Sequence, residues 1–309
     1  MTEKKKAPQN RTIFLSEEEI AEYSSRAIVP RGKLSLDEIT NKTAIGDFFE
    51  IAKLLPGNFV DLLFLDPPYN MYKNFNGKAF TKKTFSEYAE YLEKIFEAVL
   101  PALKKSASVY VCGDWRTSIS IPLALEKYFK IRNRITWERE KGRGSKTNWK
   151  NNTEDIWFAT VSDDYYFNAE AVKLKKRVIA PYRDENREPK DWSKSKNGMF
   201  RMTFPSNIWT DISVPFWSMP ENTEHPTQKP EKLLAKLILA SSREGDYVFD
   251  PFLGSGTTSV VAKKLGRKFF GIEQDKKFVA LSEYRLEKAE SDKRIQGYED
   301  GVFWERNSI

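Results

Sequence analysis

The chain contains the stretch Tyr247-Val-Phe-Asp-Pro-Phe-Leu-Gly-Ser-Gly-Thr-Thr258, in which an apolar run is followed by a turn with two glycines and then by helix-compatible residues. The run Tyr247–Asp250 predicts a buried strand, and the residues from Thr257 onward predict a helix. Glycines let the backbone come close to a ligand, and the N-terminus of a helix favours an anion. A strand, a glycine turn and a helix in this order predict a ligand-binding loop in an α/β protein.

Strands and helices alternate on both sides of this loop. Upstream, Val60–Leu65 is a nearly continuous apolar run, as in a strand buried on both faces, and Phe85–Leu100 has amphipathic helical spacing. Downstream, Lys268–Glu273 predicts a strand and Lys276–Ala289 a helix. This alternation predicts a doubly wound, mostly parallel α/β sheet. The other predicted elements are a capped helix from Ser16 to about Ser25, helices at Phe48–Leu55, Ile119–Phe129, Glu231–Ser242 and Thr257–Leu265, and strands at Ala107–Cys112, Ile131–Trp137 and Glu154–Thr160.

The composition indicates a folded protein with a sizeable core. Of the 309 residues, 40% are hydrophobic, and no apolar run is long enough to predict a transmembrane helix. The charged start of the chain has no apolar segment after it, so we expect no signal peptide. Because Cys112 is the only cysteine and His225 the only histidine, we expect no disulfide within the chain and no metal site. A buried Cys112 thiol and a cytoplasmic location fit this cysteine usage.

The stretch between about Lys141 and Asn222 interrupts the alternation. Apart from the strand at Glu154–Thr160, it is polar, basic and rich in aromatic residues and proline. The whole chain has a net charge of +7 and 14% aromatic residues. Because cations hold phosphates and aromatic rings stack on bases, this stretch is a candidate for contact with nucleic acid. The residues singled out for that contact are Lys141, Arg143, Lys146 and Trp149, whereas Trp192, Trp209 and Trp217 are expected in a small core.

A second loop, Asp66-Pro-Pro-Tyr69-Asn70, directly follows the predicted strand Val60–Leu65. Two prolines fix the backbone just past the strand end, so their carbonyls point in set directions. A carboxylate and an aromatic ring flank the prolines in the crevice where α/β sheets bind ligands, at the carboxyl ends of the strands. The loop therefore predicts a catalytic site rather than a stiffened surface turn.

Glu273 ends the strand that follows the glycine loop, roughly twenty residues after Asp250, where an acidic side chain can accept hydrogen bonds from both hydroxyls of a ribose. Together, Asp250, the glycine turn and Glu273 predict a site for a nucleoside-type cofactor. The full dinucleotide fingerprint is absent from the chain, which argues against an oxidoreductase that uses NAD or FAD.

Three motifs resemble those of the β group of DNA amino-methyltransferases. Asp66-Pro-Pro-Tyr69 resembles their catalytic motif, and Asp250–Gly256 resembles their S-adenosylmethionine loop. His225-Pro-Thr-Gln-Lys-Pro230 resembles the segment that opens their cofactor-binding helix, and the motifs follow one another in the order of this group. The resemblance spans roughly residues 43–290 and implies a Rossmann-like methyltransferase fold with an inserted target-recognition region.

The resemblance implies five stretches along the chain. An N-terminal extension (1–42) precedes the catalytic half of the methyltransferase domain (43–140). The target-recognition insertion (141–222) contains a core strand near 154–160 and is followed by the half that binds S-adenosylmethionine (223–290). A C-terminal tail (291–309) completes the chain.

The resemblance also assigns roles to residues. Asp66, Pro67 and Tyr69 are the implied catalytic residues: the Asp66 carboxylate and the Pro67 carbonyl accept hydrogen bonds from an amino nitrogen, while Tyr69 stacks on a flipped-out base. The resemblance implies that Lys229 binds the carboxylate of the cofactor and that Glu273 binds its ribose. His225 is expected to position the cofactor and not to act as a base. The implied cofactor-binding residues are Asp47, Asp66, His225, Thr227, Lys229, Asp250, Pro251, Phe252, Gly254, Ser255, Gly256, Thr257 and Glu273.

The implied function is site-specific transfer of a methyl group from S-adenosylmethionine to N6 of adenine in double-stranded DNA. Further expectations are a homodimer, a companion restriction endonuclease, a location at the bacterial nucleoid, and no membrane or metal. Asp66 opens the catalytic motif where cytosine-N4 enzymes more often have serine, so adenine is favoured and N4 of cytosine is the nearest alternative. RNA adenine methylation, protein amide methylation and a non-catalytic nucleic-acid-binding protein are the remaining alternatives.

Overall fold

The structure is a computed structural model that describes residues 8–71, 73–75, 78–139, 146–179, 182–195 and 198–305. Two single-turn 3₁₀ helices lie at Leu100–Ala102 and Glu170–Val172. The α-helices are α1 (Glu17–Ser24), α2 (Leu36–Ile39), α3 (Phe48–Ala52), α4 (Phe85–Val99), α5 (Thr117–Tyr128), α6 (Glu231–Ser241), α7 (Thr257–Lys264) and α8 (Lys276–Ser291). None of the described helices combines the length and the apolar character needed to cross a bilayer.

The described strands are β1 (Lys42–Ile45), β2 (Val60–Leu65), β3 (Lys73–Phe75), β4 (Lys78–Phe80), β5 (Leu103–Gly113), β6 (Lys130–Glu138), β7 (Thr153–Thr160), β8 (Leu174–Arg177), β9 (Ser193–Ser195), β10 (Gly198–Thr203), β11 (Ile208–Trp209), β12 (Tyr247–Asp250), β13 (Lys268–Glu273), β14 (Tyr298–Glu299) and β15 (Val302–Trp304). They form three sheets of eight, five and two members. The eight-stranded sheet has the order β1-β13-β12-β2-β5-β7-β6-β11. Its pairs are parallel except where β7 lies antiparallel to β5 and β6, so the predicted doubly wound, mostly parallel sheet is confirmed.

Two apolar cores cover the two faces of the large sheet. Alternate residues of β2 point to opposite faces: Leu63 and Leu65 pack with helices α3, α4 and α5, whereas Leu62 and Phe64 pack with α6 and α7. All four side chains are buried, which explains why the strand reads as a continuous apolar run. Helices on both faces hold the sheet rigid, and its carboxyl edge carries the two loops that the sequence singled out.

The predicted elements agree closely with the observed ones. Strands β12 and β13 begin and end at the predicted residues, and α4 ends one residue earlier than predicted, at Val99. Strand β5 begins at Leu103 rather than Ala107, because it also pairs with the start of β2 across an irregular step in register. The capping box at Ser16 is confirmed, since its hydroxyl accepts from Glu19 N–H while the Glu19 carboxylate accepts from Ser16 N–H.

The interrupting stretch is more regular than its sequence indicates. Strands β8, β9 and β10 form an antiparallel unit. From the predicted C-terminal tail, β15 pairs with β8 and β14 pairs with β15, which completes the five-stranded sheet. Trp192 and Trp209 are buried as predicted. The prediction for Trp217 is wrong: this residue is 49% exposed, and its segment is held through the backbone, where the Trp217 carbonyl accepts from Arg11 N–H at 2.7 Å.

Candidate active site

The topology brings the two predicted loops side by side. Strand β2 is hydrogen-bonded to β12 in the middle of the sheet, and the chain leaves these two strands toward opposite edges. Asp66 directly follows β2 and Asp250 ends β12, so both lie at the switch point where ligands bind in such sheets. Ile45, at the end of β1, lies opposite Glu273 of β13, which places Asp47 on the same edge.

Four polar side chains converge just past the end of β2. Lys229 Nζ lies 2.5 Å from Asp66 Oδ2 and 2.9 Å from Glu154 Oε1. The Tyr69 hydroxyl lies 2.8 Å from Asp66 Oδ1 and 2.5 Å from Glu154 Oε1, and it accepts from Lys229 at 3.1 Å. Arg139 closes the group through a 3.0 Å contact with the other oxygen of Glu154. We call Asp66, Tyr69, Glu154 and Lys229 the buried cluster.

The charges in the buried cluster follow from its contacts. Burial lowers the pKa of the Lys229 ammonium, but Asp66 and Glu154 outweigh this effect and raise that pKa above its ordinary value. Burial raises the pKa of Glu154, but Lys229 and Arg139 hold it below the ordinary value. Burial, followed by the charges of Asp66 and Glu154, raises the pKa of the Tyr69 phenol well above its usual range. Lys229 and Glu154 are therefore ionised at neutral pH, while Tyr69 keeps its proton.

A metal is a poor occupant of this cluster. Asp66, Cys112 and Glu154 each offer one ligand atom, and these atoms lie within 4.8 Å of one another. The ammonium of Lys229, however, already binds both carboxylates, so the cation at this position belongs to the protein itself. Cys112 is fully buried, as predicted, and burial raises the pKa of its thiol.

The proline loop is held by neighbouring helices. The Tyr88 hydroxyl of α4 donates to the carbonyl of Pro68 at 2.7 Å, so this contact occupies the second proline and not Pro67. Asn70 is fully buried, and its side chain both accepts from Lys83 N–H at 2.8 Å and donates to the Lys83 carbonyl at 3.1 Å. Thr117, at the start of α5, accepts from Asn70 N–H at 3.0 Å. These bonds fix the backbone on both sides of Tyr69.

Glycine is required twice in the loop between β12 and α7. Gly254 and Gly256 have φ values of +55° and +84°, which other residues rarely adopt. A Cβ on Gly256 would lie 2.3 Å from the Ser282 hydroxyl and 2.8 Å from the Ser282 Cα, so only glycine lets α7 approach α8 this closely. A Cβ on Gly254 would lie 3.0 Å from Nε2 of His225, so the His225 ring lies against the bare backbone of the loop.

The strand-terminal carboxylates have different surroundings. Asp250 is 3% exposed, and its two oxygens accept from the Thr258 hydroxyl at 2.6 Å and from Phe252 N–H at 3.0 Å. Burial raises the pKa of Asp250 to about 7. Glu273 accepts from Gly254 N–H and Asp275 N–H, both at 2.8 Å, and burial raises its pKa. Asp250 therefore shapes the loop from beneath, while Glu273 ties the loop to the end of β13.

A second ion-pair network supports the loop from below. The Arg285 guanidinium donates to the Ser255 carbonyl at 2.8 Å and to the Thr257 hydroxyl at 3.0 Å, and it pairs with Glu231 at 3.0 Å. Glu231 also pairs with Lys264 at 2.6 Å. Arg285 and Glu231 are almost fully buried and were not singled out in the sequence, because α8 and α6 each look like an ordinary helix there.

A family model described as DNA methylase, for N6 and N4 amino-methyltransferases, matches residues 60–284. That range covers the proline loop, the insertion, the glycine loop and most of α8. The chain belongs to this DNA methylase family.

Relatives of known name match most of this methylase. It is 36% identical over 262 residues to the DNA adenine methyltransferase YhdJ of Escherichia coli strain K12, in a match that covers 80% of this chain and 83% of the relative. It is 32% identical to the type II methyltransferase M2.DpnII of Streptococcus pneumoniae, with 78% and 87% of the two chains covered.

Solved structures share the fold of the methylase. The M1.HpyAVI complex with SAM has a TM-score of 0.54 and 22% identity, and the match covers 79% of this chain and 98% of that one. The cytosine-N4-specific PvuII DNA methyltransferase has a TM-score of 0.58 and 18% identity, with 81% and 90% covered.

The remaining predicted site residues lie in three places. Asp47 caps α3, where one of its oxygens accepts from Phe49 N–H at 2.9 Å, and it is exposed at the same edge as Glu273. Pro251 is buried, and the Phe252 ring lies 5.3 Å from that of Phe48. Thr227 N–H lies 3.4 Å from Nδ1 of His225.

Two of the four candidate DNA-contacting residues lie in the part of the chain that the structure describes. Lys146 and Trp149 are exposed, and Trp149 is 93% exposed. Lys141 and Arg143 lie outside the described residues. The structure holds Lys229 against Asp66 and Glu154, whereas the resemblance offered it to the cofactor carboxylate, and that role stays a prediction.

Proposed function

We propose that this methylase transfers a methyl group from S-adenosylmethionine to N6 of an adenine flipped out of double-stranded DNA at a specific site. The observation that carries the proposal is the position of the Asp66 carboxylate, at the switch point beside the glycine loop. The match to relatives named for DNA adenine methylation and type II methylation supports adenine in DNA as the substrate.

The glycine loop suits S-adenosylmethionine. Within the described residues, no side chain caps the N-terminus of α7, so its first N–H groups face the edge where Gly254 leaves the backbone bare. Each Glu273 oxygen accepts one backbone N–H and keeps a lone pair for a ribose hydroxyl. We propose that these groups, with Asp47 and His225, hold the cofactor. When bound, it supplies an electrophilic methyl group.

The proline loop suits an aromatic amino group. The lone pair of such a nitrogen is delocalised into the ring, so the nitrogen is a poor nucleophile. Two acceptors, the Asp66 carboxylate and the Pro67 carbonyl, bind its two N–H groups and draw it toward tetrahedral geometry, which directs the lone pair at the methyl group. Asn70, the next residue, is anchored to Lys83, which fixes the backbone at Tyr69. The Tyr69 ring provides the stacking platform for a nucleobase taken out of the duplex.

Analysis of the nucleosides in methylated DNA tests the proposed function. Duplex DNA of mixed sequence and, in a parallel reaction, RNA are incubated with the protein and S-adenosylmethionine and digested to nucleosides, which are identified by mass spectrometry. We expect N6-methyladenine as the product. N4-methylcytosine alone would contradict the proposed base, and methylation of RNA alone would contradict the proposed polymer.

The insertion is proposed to contact the DNA backbone through Lys141, Arg143, Lys146 and Trp149. Replacing the three cations together with alanine should reduce the salt slope of DNA affinity by about 2–3, since each phosphate contact contributes about 0.9. Titrations at several salt concentrations measure this slope. Alanine at Lys33, Lys53 and Lys105, which are exposed near the amino ends of the strands, serves as the matched control. An equal change in both triple variants would contradict the assignment.

Three further properties extend the proposal. A homodimer is supported by an exposed apolar stripe formed by Ile119 and Leu123 on one face of α5 and by Trp115, two residues before the helix. A companion restriction endonuclease is supported by the relatives named type II methyltransferases. Because the proposed substrate is DNA, the proposed location of the protein is the cytoplasm, at the bacterial nucleoid.

A further inference from the structure

Glu154 is the member of the buried cluster to which neither the sequence motifs nor the resemblance assigned a role. It stands near the start of β7, an antiparallel strand, and its side chain is 2% exposed. One carboxylate oxygen meets Tyr69 and Lys229, and the other meets Arg139. A buried carboxylate with this many partners is held in one position, beside the residue that binds the target amino group.

The Tyr69 hydroxyl has one proton and two acceptors. Its oxygen lies 2.8 Å from Asp66 Oδ1 and 2.5 Å from Glu154 Oε1, while Lys229 donates to it. Because a phenol carries a single hydrogen, Tyr69 donates to Asp66 or to Glu154 at any one time, never to both. The geometry thus allows two arrangements of one proton with little movement of heavy atoms.

The two arrangements differ in what they leave for a substrate. When Tyr69 donates to Asp66, both oxygens of that carboxylate have partners, Tyr69 at Oδ1 and Lys229 at Oδ2. When Tyr69 donates to Glu154, Oδ1 of Asp66 has no phenolic hydrogen against it. An incoming amino N–H that approaches Oδ1 finds one lone pair already taken in the first arrangement and both lone pairs open in the second, so the second arrangement is the better acceptor for the base.

We propose that Glu154 is a positioning residue that takes the hydrogen bond of Tyr69 away from Asp66 when the target amino group arrives. The inference rests on the proposed function and adds a residue to it. Glu154 does not touch the base; it acts through Tyr69 and Lys229. Arg139 in turn stabilises the charge of Glu154, because its 3.0 Å contact places a second cation beside the second buried anion.

The test is a double-mutant cycle between Glu154→Gln and Tyr69→Phe in single-turnover methylation of adenine. Glutamine keeps the shape of the side chain but is a weaker acceptor, so Glu154→Gln alone should slow transfer by about 10- to 100-fold, the range of a hydrogen bond to a charged group. Tyr69→Phe keeps the ring and removes the phenolic proton. In that background Glu154→Gln should cost less than about threefold, because no proton is left to divert.

Asp155→Asn is the matched control, because it neutralises the next residue of β7, which faces the other side of the sheet and accepts from Ser118 and Thr136. It should keep activity within about twofold, and cofactor affinity should be unchanged in every variant. If Glu154→Gln does not fold, Arg139→Gln replaces it, with a smaller loss that Tyr69→Phe again removes.

The outcomes separate this inference from the proposed function. If the unaltered protein produces no N6-methyladenine, the proposed function fails. If it does, and Glu154→Gln slows transfer equally with and without the Tyr69 hydroxyl, only the role of Glu154 is overturned. Full activity of Glu154→Gln, or an equal loss in Asp155→Asn, would overturn that role as well.

Discussion

Asp66→Ala should slow methyl transfer by about 10²–10³-fold or more, because it removes one of two acceptors at the amino nitrogen and the charge that faces it. The variant should still fold, since Lys229 retains Glu154 as a partner at 2.9 Å. Single-turnover rates, with S-adenosylmethionine affinity from calorimetry as the control, measure the effect. A loss of cofactor affinity as large as the loss in rate would contradict the division between the proline loop and the glycine loop.

Asp66→Asn separates the charge of this residue from its shape. Lys229 Nζ lies 2.5 Å from Oδ2, so it should hold the amide oxygen and turn the amide NH₂ toward the position of Oδ1. The incoming amino group would then meet a donor instead of an acceptor. We therefore expect Asp66→Asn to be nearly as slow as Asp66→Ala, within about tenfold. A rate close to that of the unaltered protein would show that a neutral acceptor suffices.

The sequence was sufficient for the parts of the site that come from consecutive residues. The proline loop and the glycine loop each follow an apolar strand, and a strand, turn and helix leave a local pattern of apolar and glycine residues. The switch point followed from the alternation of elements, because neighbouring parallel strands end at the same edge. These features needed no long-range contact to be predicted.

Glu154 could not be placed in the same way. Its partner Tyr69 stands 85 residues earlier in the chain, and the two meet only because β7 pairs antiparallel with β5, next to β2. The sequence placed Glu154 at the start of an apolar strand, where a charged residue ordinarily marks the solvated end. A charged residue at the start of an otherwise apolar strand was the one local signal that could have drawn attention to Glu154.

The lysines of α6 show the same limit. Lys232 and Lys236 stand four residues apart in the predicted helix, so they share one face, and both are buried. Lys236 Nζ lies 2.8 Å from both oxygens of Asp211, and Lys232 lies 2.9 Å from one of them. The partner stands in the irregular part of the insertion, where no periodic pattern marks it. The buried side of a helix cannot be assigned when its counterion comes from such a segment.

Asp211→Asn should lower the free energy of unfolding by about 3–5 kcal/mol, because it leaves two buried ammonium groups without a carboxylate. The loss should depend on pH. Burial, opposed by Asp211, lowers the pKa of Lys236 to about 8, below its unfolded value, so the neutral amine is favoured by folding and stability from this group rises as the pH increases above 8. Without Asp211 the pKa falls further, so the deficit of the variant should be largest below that lowered pKa, shrink as the pH rises to about 8, and stay constant above it, where Lys236 is neutral in both proteins.

Denaturant unfolding at several pH values measures this loss, and Lys236→Met in the Asp211→Asn background is the decisive companion. Methionine fills a similar volume between Trp209 and Phe303, whose rings lie 4.8 and 5.6 Å from the ammonium. Replacing Lys236 as well as Asp211 should recover part of the lost stability and flatten its pH dependence, because one of the two uncompensated charges is gone. Glu50→Gln, which breaks an exposed pair with Lys53, should change little. A double variant less stable than Asp211→Asn would mean that packing at Lys236, rather than its charge, ties the insertion to the helix beside the active site.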